Sequence, residues 1–213
     1  MQFFGLTLTR DTRFQKFLIL NGCGGTGKST LIRLIESIVG DENTAHISLT
    51  EFSERFATYG LKGKLLNTCA DLETSALSEV AVIKKLFGED TIRAEKKGCD
   101  AFSFHSVARL VFSTNELPVV KGEKSDGFYR RILVVNMSQK PKTVNPDLFA
   151  ELFECKERIV WLAVQAVRRL YADGHFCGNE NSDLAVQRLR CDSDTVEAFV
   201  YDACQSGYQR ISR

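Results

Sequence analysis

Four consecutive apolar residues, Phe17-Leu18-Ile19-Leu20, stand between a polar, uninformative opening and Asn21-Gly22. A run without polar alternation predicts a short strand covered on both faces, as inside a parallel sheet. After a glycine-rich stretch, Leu31, Ile32, Leu34, Ile35, Ile38 and Val39 recur at helical spacing, and Gly40 stops them. Thr50 is placed to cap a short amphipathic piece whose Phe52, Phe56 and Tyr59 share a face. Residues 64–69 predict a second strand ending in Ala70-Asp71-Leu72-Glu73, and residues 78–87 predict a helix. Residues 92–95 and 101–104 flank the turn-forming run Lys96-Lys97-Gly98-Cys99-Asp100, which predicts a β-hairpin.

A third strong strand covers residues 109–112 and leads into Ser113-Thr114-Asn115; a fourth covers residues 132–135. Everything beyond is helical in pattern. Asn145 is placed to cap, Pro146 suits the first helical position, and apolar residues recur from Leu148 to Leu170. Asp194 with Glu197 three residues later forms a capping box for a last helix running through Cys204. Strands alternating with helices over the first two-thirds predict an α/β fold with a central parallel sheet and a helical tail.

Composition narrows the class. At 213 residues, with 44% hydrophobic and 26% charged positions, the chain can bury a real core, and disordered, collagen-like and disulfide-scaffold classes are excluded. Twenty-eight Lys and Arg against 27 Asp and Glu leave +1, so any contact with nucleic acid must be local, on one loop or one channel wall. No apolar run approaches the roughly 18 residues that span a bilayer, and no secretory signal follows Met1, so a cytoplasmic place and no membrane partner are expected. Seven cysteines contain no CxxC pair and no zinc-spaced cluster, which reads as reduced thiols.

Gly22-Cys23-Gly24-Gly25-Thr26-Gly27-Lys28-Ser29 satisfies G-x-x-x-x-G-K-[ST], with a strand before it and a helix from Lys28. Glycines let successive backbone N–H groups turn inward around phosphate oxygens. The helix N-terminus and Lys28 neutralise the β- and γ-phosphates, and the Ser29 hydroxyl is placed to ligate Mg²⁺. Gly22, Gly24, Gly25, Thr26, Gly27, Lys28, Ser29 and Thr30 are therefore the expected binding set for ATP with Mg²⁺. A second carboxylate must help hold the metal. Asp71, at the end of the next strong strand, is the candidate, with Glu73 the candidate base. Asn115 ends a strand, and its amide offers a donor and an acceptor to a γ-phosphate or an attacking water. Arg130-Arg131 precede the last strand as solvated charges or as a transition-state clamp lent to a neighbouring subunit.

The ordered series GCGGTGKST, GKLLNTCADLE, IKKLFGEDTIRAEKK, ARLVFSTNELP and GFYRRILVV resembles superfamily III helicases. It is closest to the ATPase domain of phage- and plasmid-type primase–helicases, the group of the poxvirus replicative ATPase. The resemblance covers residues 17–135 and extends more weakly into the tail. It implies an AAA+ type P-loop NTPase working as a hexameric ring and moving 3′ to 5′ along one DNA strand, single or forked. It implies Asn115 as the sensor, Arg130 or Arg131 as the arginine finger, and the basic hairpin insertion with Arg93, Lys96 and Lys97 as the DNA contact. It also implies a primase domain or protein as partner, and a phage-infected or bacterial cell as setting. The chain departs from the family at Thr26, where many relatives have Asn, and at Leu72, which separates Asp71 from Glu73.

Residues 1–140 are expected to form the ATPase core and residues 141–213 a helical subdomain. Fewer than 20 residues precede the first strand, where relatives carry a collar, so an excised ATPase domain or a reduced protein is expected. Two other classes fit a P-loop of this size: a kinase, which needs an acceptor pocket and a closing lid, and a non-catalytic ATP-gated loader or adaptor.

Overall fold

The computed structural model describes residues 1–70, 72, 86, 91–120 and 125–203. Five parallel strands build the central sheet in the order β2-β3-β6-β1-β7. They are β1 (Phe17–Asn21), β2 (Thr44–Ala45), β3 (Leu66–Cys69), β6 (Arg109–Thr114) and β7 (Ile132–Asn136). A separate antiparallel pair, β4 (Ile92–Ala94) and β5 (Phe102–Phe104), forms the expected hairpin.

The unbroken apolar runs follow from this order. β1 pairs with β6 on one side and β7 on the other, and both sheet faces are covered, so every side chain of the run is buried. Phe17 and Ile19 join Leu110, Phe112, Ile132 and Val134 in a core on one face. Leu18 and Leu20 point the other way and pack with Val111, Leu66, Ile32 and Ile35.

The second face is covered by α2 (Lys28–Val39), which ends at Gly40 with φ 92°, and by α1 (Gln2–Thr7) and α5 (Lys156–Asp173) through Phe3, Phe4 and Ala163. The first face is covered by the turns over residues 51–61, by α3 (Asp126–Tyr129), and by α6 (Glu180–Ser193) through Ala185 and Leu189. The architecture is the expected α/β one, with a central parallel sheet, a hairpin insertion and C-terminal helices.

The structure corrects the sequence reading in three places. The opening is not featureless: α1 buries Phe3, Phe4 and Leu6, and an added Cβ at Gly5 would meet the Ala163 carbonyl oxygen at 2.4 Å. Six residues are too few to show a period or to be helical alone; docking on α5 stabilises them. Residues 50–59 form two 3₁₀ turns, Glu51–Ser53 and Ala57–Leu61, and Thr50 makes no side-chain cap. The break between them leaves Phe52 buried and Phe56 47% exposed, so no shared face exists.

The segment expected as one helix is α4 (Leu148–Glu154) and α5, separated at Cys155. Asn145 does not cap α4. Its Oδ1 accepts from the Asp147 N–H at 3.0 Å, a turn ahead of the helix that puts Asp147 at the N-cap. The last helix, α7 (Thr195–Ala203), is capped by Asp194, whose Oδ1 accepts from the Val196 N–H at 2.9 Å. Glu197 reaches Arg190, 3.5 Å away. The helix expected over residues 78–87 lies outside the described residues except for Leu86, which is helical and buried. Among the described residues, no helix is long and apolar enough to cross a membrane.

Candidate functional site

β1 delivers the chain to Asn21 at the C-terminal edge of the sheet, and α2 begins seven residues later at Lys28. The connection must reverse direction tightly. Gly25 (φ 81°) and Gly27 (φ 92°), the residue ahead of α2, take the left-handed conformation that favours glycine. Gly22 is required for a different reason: a Cβ there would sit 2.1 Å from the Met137 carbonyl oxygen beyond β7. Gly24 and Gly25 are exposed with open space beside them. Thr26 fastens the loop from inside, its Oγ1 donating to the Cys23 carbonyl at 3.0 Å. The first turn of α2 leaves backbone N–H groups without helical partners, which a helix N-terminus can offer to an anion.

Lys28 is buried at the base of the loop. Its Nζ donates to the carbonyls of Gly22 and Cys23, the latter at 3.0 Å, and to Asn115 Oδ1 at 3.1 Å. Three protons thus meet three acceptors, one of them 87 residues away. The strand order makes this bond possible, because β6 lies directly beside β1 and Asn115 follows its last residue. Ser29 is exposed on the first turn of α2, and Thr30 beside it is half-buried.

β3 lies one strand further out. Leu72, just beyond it, is tied to the end of β6: its N–H donates to the Ser113 carbonyl at 2.8 Å, and its carbonyl accepts from Thr114 Oγ1 at 3.4 Å. Asp71 and Glu73, the expected metal carboxylate and base, lie outside the described residues.

Arg130 and Arg131 follow α3 and enter β7. Register sets their distance from the loop. Phe17 pairs with Ile132 and Asn21 with Asn136, so the arginines stand at the opposite end of β1. Five residues at about 3.3 Å each put them roughly 16 Å from the loop of their own chain. Arg131 is held by Gln15, whose Oε1 accepts from Nε at 3.1 Å and from a terminal nitrogen at 2.7 Å. Arg130 is exposed, and its carbonyl accepts from Lys16 Nζ. Burial, with a smaller contribution from Arg130, holds the Lys16 ammonium below the ordinary lysine range.

The hairpin carries Arg93, Lys96 and Lys97, all exposed. Its base is docked on residues 57–61: Tyr59 meets Phe102 edge-on at 6.0 Å, and Thr58 Oγ1 donates to the Arg93 carbonyl at 3.1 Å. Lys62 lies over the Phe102 ring at 4.3 Å and Lys96 over Tyr59 at 5.6 Å. Glu95 is engaged by Arg55 at 2.5 Å and Arg93 at 3.5 Å. Glu95 is therefore paired with two arginines, while Asp100 remains beside Lys96, Lys97 and Gly98 (φ 80°) in the exposed turn.

Sequence reasoning missed a polar cluster on the β7 side of the loop. Asn21, Gly22, Asn136, Asn181 and Arg188 line a cavity of 620 Å³ at the ends of β1 and β7. Asn21 Nδ2 donates to Asn136 Oδ1 at 2.9 Å. The available signal was a polar residue ending each of two adjacent buried strands. An apolar cavity of 580 Å³ lies among Phe3, Leu18, Ile35 and Ile159 and adjoins the polar one, sharing Val134, Val135 and Asn179 with it.

Known proteins resemble the chain in three ways. The pattern of a family of unknown function (DUF5906) matches residues 20–131. A thymidylate kinase from Clostridium novyi (strain NT) is 31% identical over 99 residues, which cover 43% of this chain and 48% of the kinase. Solved structures of the NrS-1 C-terminal region have the same fold. An A form apo structure superposes with a TM-score of 0.60 at 18% identity, over 83% of this chain and 43% of that one. An apo structure of residues 305–718 gives 0.61 at 16%, over 87% and 47%. An A form apo structure with those bounds gives 0.62 at 18%, over 88% and 46%. The chain thus spans just under half the length of each of these relatives.

Proposed function

The chain belongs to the family of unknown function DUF5906, and we propose that it is an ATP-dependent DNA helicase or translocase motor of a phage or mobile-element replication protein. The observation that carries this reading is the bond from Lys28 to Asn115. It joins a glycine-loop lysine to a strand-end amide at one spot above the sheet edge, where open α/β folds hold ligands. A triphosphate entering there is met by the N–H groups of residues 22–29. Lys28 exchanges its loop carbonyls for the β- and γ-phosphate oxygens, and Asn115, released from Lys28, orients the attacking water against the γ-phosphate.

The exposed Ser29 hydroxyl on the first turn of α2 suits a Mg²⁺ ligand, and Ser29 with Asp71 would hold the ion. When bound, Mg²⁺ neutralises charge on the phosphate oxygens. Glu73 serves as base. Gly24, Gly25, Thr26, Gly27 and Thr30 complete the cradle. The wider reading is a superfamily III, AAA+ type hexamer with residues 1–140 as core and 141–213 as helical subdomain. Arg130 or Arg131 completes a neighbour's site, and the hairpins grip one strand of DNA in the ring as it moves 3′ to 5′ beside a primase.

A second reading, a nucleotide kinase, has its own support in the identity with the thymidylate kinase. One experiment separates them: phosphate release from ATP, with and without single-stranded DNA, alongside transfer to thymidylate. Stimulation by DNA supports the motor, and stoichiometric transfer replaces it with the kinase. Negligible turnover with tight ATP binding replaces both with a nucleotide-gated adaptor.

A further inference from the structure

We infer that the cavity beyond Gly22 receives the nucleobase and that the side-chain amides of Asn136 and Asn181 read it as adenine; this rests on the phosphate-loop reading above. The two sides of β1 carry different chemistry. Lys28 and Asn115 meet on the β6 side, which fixes the γ-phosphate end. β6 and β7 flank β1, so a ligand leading away from that end reaches the β7 side about 10 Å away, two strand spacings. A diphosphate and ribose span such a gap.

What stands there suits a base. The 620 Å³ cavity lies in the range of ligand sites. A smaller hollow of 170 Å³ shares Asn21, Asn136, Asn181 and Arg188 with it and is walled by Leu117 and Leu184. A base is a flat plate with apolar faces and a polar rim, and the leucines and amides offer those two surfaces. Asn21 fixes the Asn136 amide by donating to its Oδ1. Among the described residues, Asn136 Nδ2 and the whole Asn181 amide have no hydrogen-bond partner. An amide pairs with the adjacent donor and acceptor of adenine, N6 and N7, whereas guanine's O6 and N7 suit a guanidinium. Arg188 is the one group here that favours guanine, so discrimination against GTP is the severe test.

The test measures equilibrium binding of ATP, GTP and inorganic tripolyphosphate to the parent, Asn181→Leu and Asn136→Leu. Both asparagines are exposed, so neither change removes core packing. The parent should bind ATP about tenfold or more tightly than GTP or tripolyphosphate. Each variant should lose about tenfold toward ATP and bring the ATP-to-GTP ratio near one, with tripolyphosphate affinity held. Tripolyphosphate binding with no preference for ATP, or an unchanged ratio in both variants, overturns the base site and leaves the phosphate loop standing. Failure of the parent to bind either ATP or tripolyphosphate overturns the phosphate loop and the base site together.

Discussion

Arg130→Ala offers a quantitative test of assembly. Parallel register puts Arg130 at the N-terminal end of β7, level with the start of β1, while the loop leaves the other end. The intervening distance of about 16 Å exceeds the reach of an arginine side chain, so Arg130 cannot touch the γ-phosphate of its own chain. It acts on a neighbour or not at all. Loss of a trans-acting arginine lowers hydrolysis by about 10³- to 10⁵-fold. In a head-to-tail ring each interface takes its loop from one subunit and its finger from the next. At equal mixing of Arg130→Ala with Lys28→Ala, about one interface in four then joins an intact loop to an intact finger. Phosphate release should therefore rise from near zero in either variant alone to about a quarter of the parent rate, peaking at equal mixing. Arg131→Ala, run alongside, loses its bonds to Gln15 and should lower stability by about 1–2 kcal/mol while keeping turnover. Normal hydrolysis by Arg130→Ala, or no recovery on mixing under conditions where the parent forms rings, refutes the reasoning.

Three further outcomes are expected. Asn115→Ala should slow hydrolysis about 10²-fold with ATP affinity nearly kept; an unchanged turnover number would remove Asn115 from the chemistry. Lys96→Ala with Lys97→Ala should flatten the logarithmic salt dependence of single-stranded DNA binding by about 0.7 for each phosphate no longer neutralised; an unaltered slope would move DNA binding off the hairpin. Gly5→Ala drives a Cβ against the Ala163 carbonyl oxygen and should cost about 1–3 kcal/mol in denaturant unfolding; a parent-like midpoint would show that α1 does not dock on α5 as described.

Legibility in the sequence followed how local the causes were. Phe17 to Leu20 read correctly as a strand because burial on both faces removes polar alternation, and that leaves its mark on four adjacent letters. The tight glycine turn between β1 and α2 was legible because its constraints, positive φ at Gly25 and Gly27, act within a few residues. α1 was illegible because its helicity depends on Gly5 meeting Ala163, across most of the chain. The separation of α4 from α5 falls in Glu154-Cys155-Lys156-Glu157-Arg158, a break in the apolar spacing that reading residues 148–170 as one helix passed over. Asn115 could be nominated as a strand-end amide, but its bond to Lys28 depends on strand order, which spacing does not encode. The same holds for Arg131 and Gln15, 116 positions apart, and for the Asn21, Asn136 and Asn181 cluster, where each amide alone reads as an ordinary turn residue.

The central claim is that a triphosphate is held and cleaved over the loop of residues 22–29, and Lys28→Ala tests it most directly. The lysine's partners are two loop carbonyls and Asn115, so its removal leaves the apolar core untouched. Phosphate release from ATP, measured beside a thermal melt, should fall to background in Lys28→Ala while the melt stays close to that of the parent. Hydrolysis near the parent rate in a folded Lys28→Ala protein would contradict the account.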